Sequence, residues 1–480
     1  MSEPDFSMAV GIASDVGAGR CSAAEVTSAA LARIAAANPA LNAFTAVTAE
    51  RARARAAALD AALARGEAPG PLAGVPFAVK NLLDIEGLPT LAGAKINRDR
   101  PQARRDAVLI RRLEAAGAVL VGAVGMGEYA YDFTGENAHF GACRNPHDPG
   151  RMTGGSSSGS AAATAAGLAP VSLGSDTNGS LRVPASLCGV FSLKPTYGRL
   201  SRTGSFSFVD SLDHLGPFAR SVTDLALAYD ALQGPPEGDH ACAPRAPEPA
   251  LPGLDHALGP LRVGLPGGWF ARHCGTEGAA AATRVAAALG GLGARCRQVD
   301  LDAAEAGRAA AYLITNSESS AFHLERLRAR AGEFDPDTRD RFLAGALLPA
   351  AWVARAQRVR AWWLARALAV FATVDALIVP ATPVSAPLRG ETVLPLGGQS
   401  LPLRPSLGLL SQPFSCIGLP VVTVPVFRPG EMPIGVQIIA PPWHERRALR
   451  IARALERAGH ATAHPPVRRD MRVPQAQEPA

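Results

Sequence analysis

Between Arg151 and Thr196 the chain carries two separate Gly/Ser turns. Serines on tight turns are the residue type from which a covalent acyl-transfer centre is built. The first turn, Gly155-Ser-Ser157-Ser-Gly159, matches the G-x-S-x-G nucleophile elbow, which would make Ser157 the nucleophile of a Ser/His/acid hydrolase. That elbow needs a strand directly before it, and the loop-like R-N-P-H-D-P-G-R-M-T precedes it here. A phosphate loop would need the lysine of G-x-x-x-x-G-K-[ST], which the run lacks. A flexible linker is disfavoured because the run leads straight into the helix-forming Ala161 to Ala166. The second turn, Asp176-Thr-Asn-Gly-Ser180, follows the strand-like Val171 to Ser175 and so lies where α/β sheets place their ligands. Small residues at Asn178 and Gly179 let successive backbone N–H groups converge on one point, as an oxyanion hole requires. A serine directly after such a nest can attack the carbonyl whose oxygen the nest binds.

A serine hydroxyl at pH 7 is a poor nucleophile without a base. No histidine lies near either turn in sequence, although folding can deliver one. The alternative is a lysine made neutral by desolvation. Lys80 closes the apolar run Val75-Pro-Phe-Ala-Val-Lys80, a strand in which an ammonium is costly unless used, paired or discharged. On that segment alone, a strand-end lysine reaching solvent is the plainer reading.

These residues need elements to hold them. A Ser22-x-x-Glu25 capping box opens a helix over 22 to 37 with an Asn38-Pro39 stop, and an Ala/Arg helix follows to about Arg65. A helix from Asp106 ends at Gly117 and a strand runs over Ala118 to Val124. The irregular stretch 125 to 148 is too long to be idle in a compact domain. A helix is expected over Ser221 to Gln233, then a Pro/Gly-rich excursion, then strand and helix within 262 to 300. Helices fill about 303 to 374; strands return after Asp375, Pro420 and Pro433; a last helix covers about His444 to Ala458. Helices alternating with strands indicate an α/β class.

The 480 residues are 48% hydrophobic and 19% charged, with a net charge of +6 that lies largely on helical Ala/Arg stretches. Without interleaved aromatics, that pattern describes solvated helix faces and excludes a nucleic-acid surface. The seven cysteines are dispersed with no C-x-x-C pair, which indicates a reducing compartment and no structural zinc. His139 and His147 read as surface histidines, not metal ligands. No leader and no run approaching 18 apolar residues is evident, so a soluble, cytoplasmic protein away from membranes is expected.

Lys80, then G154-G-S156-S-S-G-S-A-A-A, then G174-S-D-T-N-G-S180-L-R-V-P-A, then C188-G-V-F-S-L-K-P-T-Y-G-R resembles the amidase signature family, with Lys80 and Ser156 76 residues apart and Ser156 and Ser180 24 apart. The likeness continues through S211-L-D-H-L-G-P to P433-I-G-V-Q. It implies a central mixed twisted β-sheet covered on both sides by helices, as one domain over 1 to 465. The catalytic core would span about 70 to 220, the helical subregion about 303 to 374, and a polar tail 466 to 480. It further implies a Ser-cisSer-Lys triad that needs no metal or cofactor: Ser180 as nucleophile, Ser156 as relay after a cis peptide, Lys80 as base. Thr177, Asn178 and Gly179 would supply the oxyanion N–H groups, and Asp176 with Arg182 a buried pair shaping the turn. Most members carry Gly at the position of Asn178. Asn178 and the loop around Tyr129 resemble the branch acting on a carboxylated biuret in cyanuric-acid degradation. That likeness implies homodimerisation together with a very small accessory subunit. Gly127 departs from that branch, where an acidic residue is usual. An anionic substrate calls for a facing cation, for which Arg202 is the expectation, with Tyr129 and Tyr131 as pocket walls. The glutaminase subunit of tRNA-dependent amidotransferases, a broad-range amidase and a catalytically silent scaffold are the other readings.

Overall fold

The computed structural model describes residues 8–466. Thirteen strands form in chain order: β1 Phe44–Val47, β2 Pro76–Lys80, β3 Val119–Val124, β4 Val171–Asp176, β5 Phe191–Lys194, β6 His214–Ala219, β7 Arg262–Pro266, β8 Arg295–Val299, β9 Ala376–Pro380, β10 Val393–Leu396, β11 Gln399–Pro402, β12 Val421–Pro425 and β13 Gly435–Ile439. Eleven of them make one sheet in the order β1-β3-β2-β4-β6-β5-β12-β13-β9-β7-β8, and β10 with β11 forms a separate hairpin. β2 runs parallel to both β3 and β4, β7 runs parallel to β8 and β9, and the strands between β4 and β9 alternate in direction. The mixed sheet is flanked by helices, as the α/β reading predicts. Its central strands are buried along their whole length, which is why they read as apolar runs rather than alternating ones.

Local signals explain most element starts. Ser22 and Glu25 form the reciprocal cap at the head of the Ala23–Leu41 helix, with Glu25 N–H to Ser22 Oγ at 3.0 Å and Ser22 N–H to Glu25 Oε2 at 2.8 Å. The expected stop at Asn38-Pro39 comes three residues later. Pro39 is absorbed into the last turn, Asn38 Oδ1 accepts the N–H groups of Ala43 and Phe44, and the helix ends at Asn42 with φ 52°. Ser221 caps the Val222–Leu232 helix through Asp224 N–H. The region from 303 to 374 holds the Ala304–Arg330, Pro336–Ala346 and Ala350–Phe371 helices, the first packing on the other two.

Strands β1, β5, β6 and the β10–β11 hairpin carry no clear sequence signal. β6 contains Gly216 and Pro217, both poor strand residues. Gly216 is required there, because a Cβ would lie 2.1 Å from Leu193 O on β5. Among the described residues no helix is long and apolar enough to cross a membrane. All seven cysteines are free. The tail from 467 onward lies outside the described residues.

Candidate active site

Because β2 and β4 are parallel, with Phe77, Ala78 and Val79 opposite Val171, Ser172 and Leu173, the ends carrying Lys80 and Asp176 emerge side by side. Lys80 is fully buried. Three serine hydroxyls surround its Nζ: Ser156 at 2.7 Å, Ser175 at 2.8 Å and Ser157 at 3.1 Å. Burial pushes the Lys80 ammonium down to about 7 against the upward pull of the Asp213, Asp176 and Asp132 carboxylates.

Hydroxyl protons decide what each serine can do. Ser157 Oγ donates to the Ser175 carbonyl at 3.1 Å and accepts the Ser175 N–H at 3.2 Å, so toward Lys80 it is an acceptor only. Ser156 Oγ has Nζ as its hydrogen-bond partner among the described residues. Once Nζ has lost a proton, its lone pair can accept from the Ser156 hydroxyl or from that of Ser175, and Ser156 is the nearer at 2.7 Å against 2.8 Å. The Gly155–Ser156 peptide is cis, in agreement with the resemblance. Ser157, the residue of the elbow match, is a buried bracket between Lys80 and β4. It fits because residue 174 is glycine: a Cβ there would lie 2.8 Å from Ser157 Oγ and 2.7 Å from the Phe218 ring.

Ser180 ends the turn after β4 and precedes the Arg182–Cys188 helix. Asp176 and Arg182 are both fully buried and doubly bonded, Nε to Oδ2 at 2.9 Å and Nη2 to Oδ1 at 3.0 Å. Leu181 N–H also donates to Asp176, and Arg182 Nη1 reaches Ser411 O and Gln437 Oε1, each at 2.8 Å. Burial alone would raise the Asp176 carboxyl, yet Arg182, Lys194 and His214 outweigh it and hold it near 2. Thr177 Oγ1 donates to Asp213 at 2.5 Å, and Asp213 in turn accepts the N–H groups of Phe208 and Val209. Gly179 sits at φ 143°, and a Cβ there would overlap Ser411 Oγ at 2.2 Å. Ser411 Oγ donates to Asn178 O at 2.9 Å. Ser411 thus holds the turn at the Asn178 carbonyl, and Asp213 holds it through the Thr177 side chain.

Thr177, Asn178 and Ser180 line a small pocket whose other lining residues include Tyr131, Phe208 and Arg341. Tyr131 is among the lining residues, its hydroxyl donating to Asn316. Tyr129 lies one layer behind, fully buried between His323, Phe206 and Phe334, with a left-handed backbone at φ 48°. Arg202 is placed elsewhere. Its guanidinium is paired with Asp239 at 3.1 Å and Asp210 at 3.1 Å, and it is not among the pocket residues. These two carboxylates, 37 and 8 residues along the chain, claim the charge that the sequence reading assigned to substrate.

His139 and His147 are not the surface residues expected. His139 Nε2 sits 2.9 Å from buried Glu128 Oε1, and His147 Nε2 sits 3.1 Å from Cys188 O, with burial pushing its imidazolium down to about 4. Among the described residues no His/Cys/Asp/Glu group is arranged to hold a metal. Ser175, Asp213, Ser411 and Arg341 were missed as site residues. Asp213 lies inside the S-L-D-H-L-G-P motif and Ser175 inside G-S-D-T-N-G-S, so a signal existed for both; Ser411 and Arg341 carry none. At Gly127 a Cβ would come within 2.4 Å of Asp132 Cβ, so the acidic residue usual there has no room beside Asp132.

The amidase family model matches residues 25–449. The chain belongs to the amidase signature family. It is 53% identical over 455 residues to the AtzE subunit of 1-carboxybiuret hydrolase from Pseudomonas sp. strain ADP, covering 94% of this chain and 98% of that protein. It is 35% identical to a subunit of the glutamyl-tRNA(Gln) amidotransferase of Symbiobacterium thermophilum, with coverages of 93% and 96%. A solved structure of an s-triazine catabolic enzyme, described as a vestigial protein complex, superposes with TM-score 0.93 at 52% identity, covering 95% of this chain and all of that one. The 6-aminohexanoate cyclic dimer hydrolase, solved with substrate, gives 0.85 at 31% identity, with coverages of 96% and 99%. As a member of the amidase signature family, the chain is an amide-cleaving hydrolase acting on C–N bonds other than peptide bonds.

Proposed function

We propose that this amidase hydrolyses 1-carboxybiuret with release of ammonia, using Ser180 as nucleophile, Ser156 as proton relay and Lys80 as base. The observation that carries the mechanism is the 2.7 Å contact between buried Lys80 Nζ and Ser156 Oγ behind a pocket that Ser180 lines. In the acylation step Ser180 Oγ bonds to the carbamoyl carbon, its proton moves to Ser156 Oγ, and the Ser156 proton moves to neutral Nζ. The tetrahedral oxyanion is held by the N–H groups of Thr177, Asn178 and Gly179, already clamped before substrate arrives. Collapse expels the amine, which leaves as ammonia with a proton returned through Ser156. Water then repeats the sequence in reverse on the acyl-enzyme. Asp176 and Arg182 shape the turn and take no part in proton transfer.

The substrate reading is supported by the 53% identity to the 1-carboxybiuret hydrolase subunit, against 35% to the amidotransferase subunit. The same likeness supports a place in cyanuric-acid degradation, homodimerisation and a small accessory subunit. The seven free thiols support a cytoplasmic setting. The continuous eleven-stranded sheet supports reading 1 to 465 as one domain.

The test is ammonia release from 1-carboxybiuret, biuret, allophanate and glutamine, with and without the product of a small neighbouring gene. A kcat/KM for 1-carboxybiuret well above the other three supports the reading, whereas a preference for glutamine assigns the chain to the glutaminase alternative. Ser180→Ala is expected to lose activity by at least about a thousandfold while keeping its circular dichroism spectrum.

A further inference from the structure

With Arg202 spent on Asp239 and Asp210, the pocket needs another source of charge, and Arg341 on the Pro336–Ala346 helix lines it directly. Its Nε donates to Asp337 O at 2.8 Å and its Nη2 to Tyr131 O at 2.6 Å. The guanidinium carbon lies 3.9 Å from the Tyr131 ring centroid. All three anchors, two backbone carbonyls and a ring face, are neutral, so they fix the plane of the fork without cancelling its charge. Arg341 forms no ion pair among the described residues, and Nη1 keeps both of its donors. The other charged pocket residue, Asp132, pairs with Arg404 at 2.7 Å, an arginine it shares with Asp337 at 2.8 Å and Glu136 at 3.7 Å. Arg341 is thus the cation that lines the pocket itself.

Directly beside Ser180, Asn178 presents a second polar group. Its Nδ2 donates to Thr315 Oγ1 at 2.8 Å, which orients the amide, while Oδ1 is buried with no hydrogen-bond partner. Asn178 is only 6% exposed. A buried acceptor left unpaired next to a nucleophile is satisfied when the acyl group it faces carries an N–H.

We infer that Arg341 and Asn178 form a two-point specificity site, Arg341 binding a substrate carboxylate and the Asn178 side-chain carbonyl accepting an N–H attached to the scissile carbonyl. The ligand class is a ureido amide ending in a carboxylate. This rests on the acyl-enzyme reading with Ser180, and it assigns Asn178 a role for its side chain beyond that of its backbone. Arg341 is held by the fork edge opposite the free donors, which suits bidentate recognition of a carboxylate.

The test compares charged with neutral amides, and ureido with carbon acyl groups. Biuret is 1-carboxybiuret without its carboxylate, butyramide is succinamate with a methyl group in place of the carboxylate, and succinamate is an anionic amide one chain atom shorter than 1-carboxybiuret that carries methylenes where 1-carboxybiuret has its N–H groups and central carbonyl. Arg341→Gln is expected to raise KM about ten- to a hundredfold for 1-carboxybiuret and for succinamate, with biuret and butyramide within about threefold of wild type. Arg341→Lys should recover part of the loss. Asn178→Gly should cut the preference for 1-carboxybiuret over succinamate at least about tenfold, with Arg341 discrimination intact. Because each comparison is a ratio on one variant, partial loss of folded enzyme cancels. Equal effects across charged and neutral partners, or an unchanged ureido preference in Asn178→Gly, would overturn the inference. If wild type fails on 1-carboxybiuret yet cleaves succinamate, the substrate reading fails alone and the succinamate to butyramide ratio still decides the role of Arg341.

Discussion

At the residue scale, the centre runs on one desolvated lysine. Removing the ammonium from water disfavours its charged form, and three serine oxygens replace only part of that hydration. Lys80 is a base only when unprotonated, so its competent fraction rises with pH through about 7, below the 10.5 of a free lysine. A profile of kcat/KM against pH is expected to show an acid limb with a midpoint near 7. Lys80→Arg, whose guanidinium stays protonated, should be inactive across the whole range; measurable activity in that variant would remove Lys80 as the base.

At the element scale, the work is done by the strand-turn-helix unit of β4, Thr177–Leu181 and Arg182–Cys188. The Asp176–Arg182 pair ties the strand end to the helix it precedes, with every remaining guanidinium contact inside the protein. Breaking one side of such a pair leaves a buried charge uncompensated, so Arg182→Met is expected to destabilise by about 3–5 kcal/mol in urea denaturation. A loss under about 1 kcal/mol would mean the pair is not shaping the turn. Gly179→Ala addresses the neighbouring backbone, where φ 143° and the 2.2 Å approach to Ser411 exclude a methyl group. Since that change displaces the oxyanion donors, it should lower kcat about a hundredfold with KM little altered.

At the scale of the whole molecule, the pocket is assembled across the chain. Its floor comes from the turn after β4, and its walls from the 125–148 loop, the helical region and the segment before β12. The loop is bound to the helices by buried Glu128, which accepts from Asp335 N–H at 2.9 Å and from Thr338 Oγ1. If residues 1 to 465 fold as one domain, far- and near-ultraviolet circular dichroism should report one coincident urea transition. A separate early transition would show that the helical region melts by itself.

The motifs were legible in the residue order because their key partners lie close along the chain. Asp176, Arg182 and the small residues between them specify a tight turn wherever they occur, and Ser22 with Glu25 specifies a helix start. That local chemistry pointed to a serine acyl-transfer centre with Lys80 as its base, and the family resemblance gave each serine its part. It could not show that Ser175 holds the lysine from 95 residues away, that β6 forms despite Gly216 and Pro217, or which arginine keeps its charge. Arg202 and Arg341 look alike in sequence. Only folding brings Asp239 and Asp210 to the first, and lays the second over Tyr131, 210 residues distant, in the lining of the pocket that Ser180 shares.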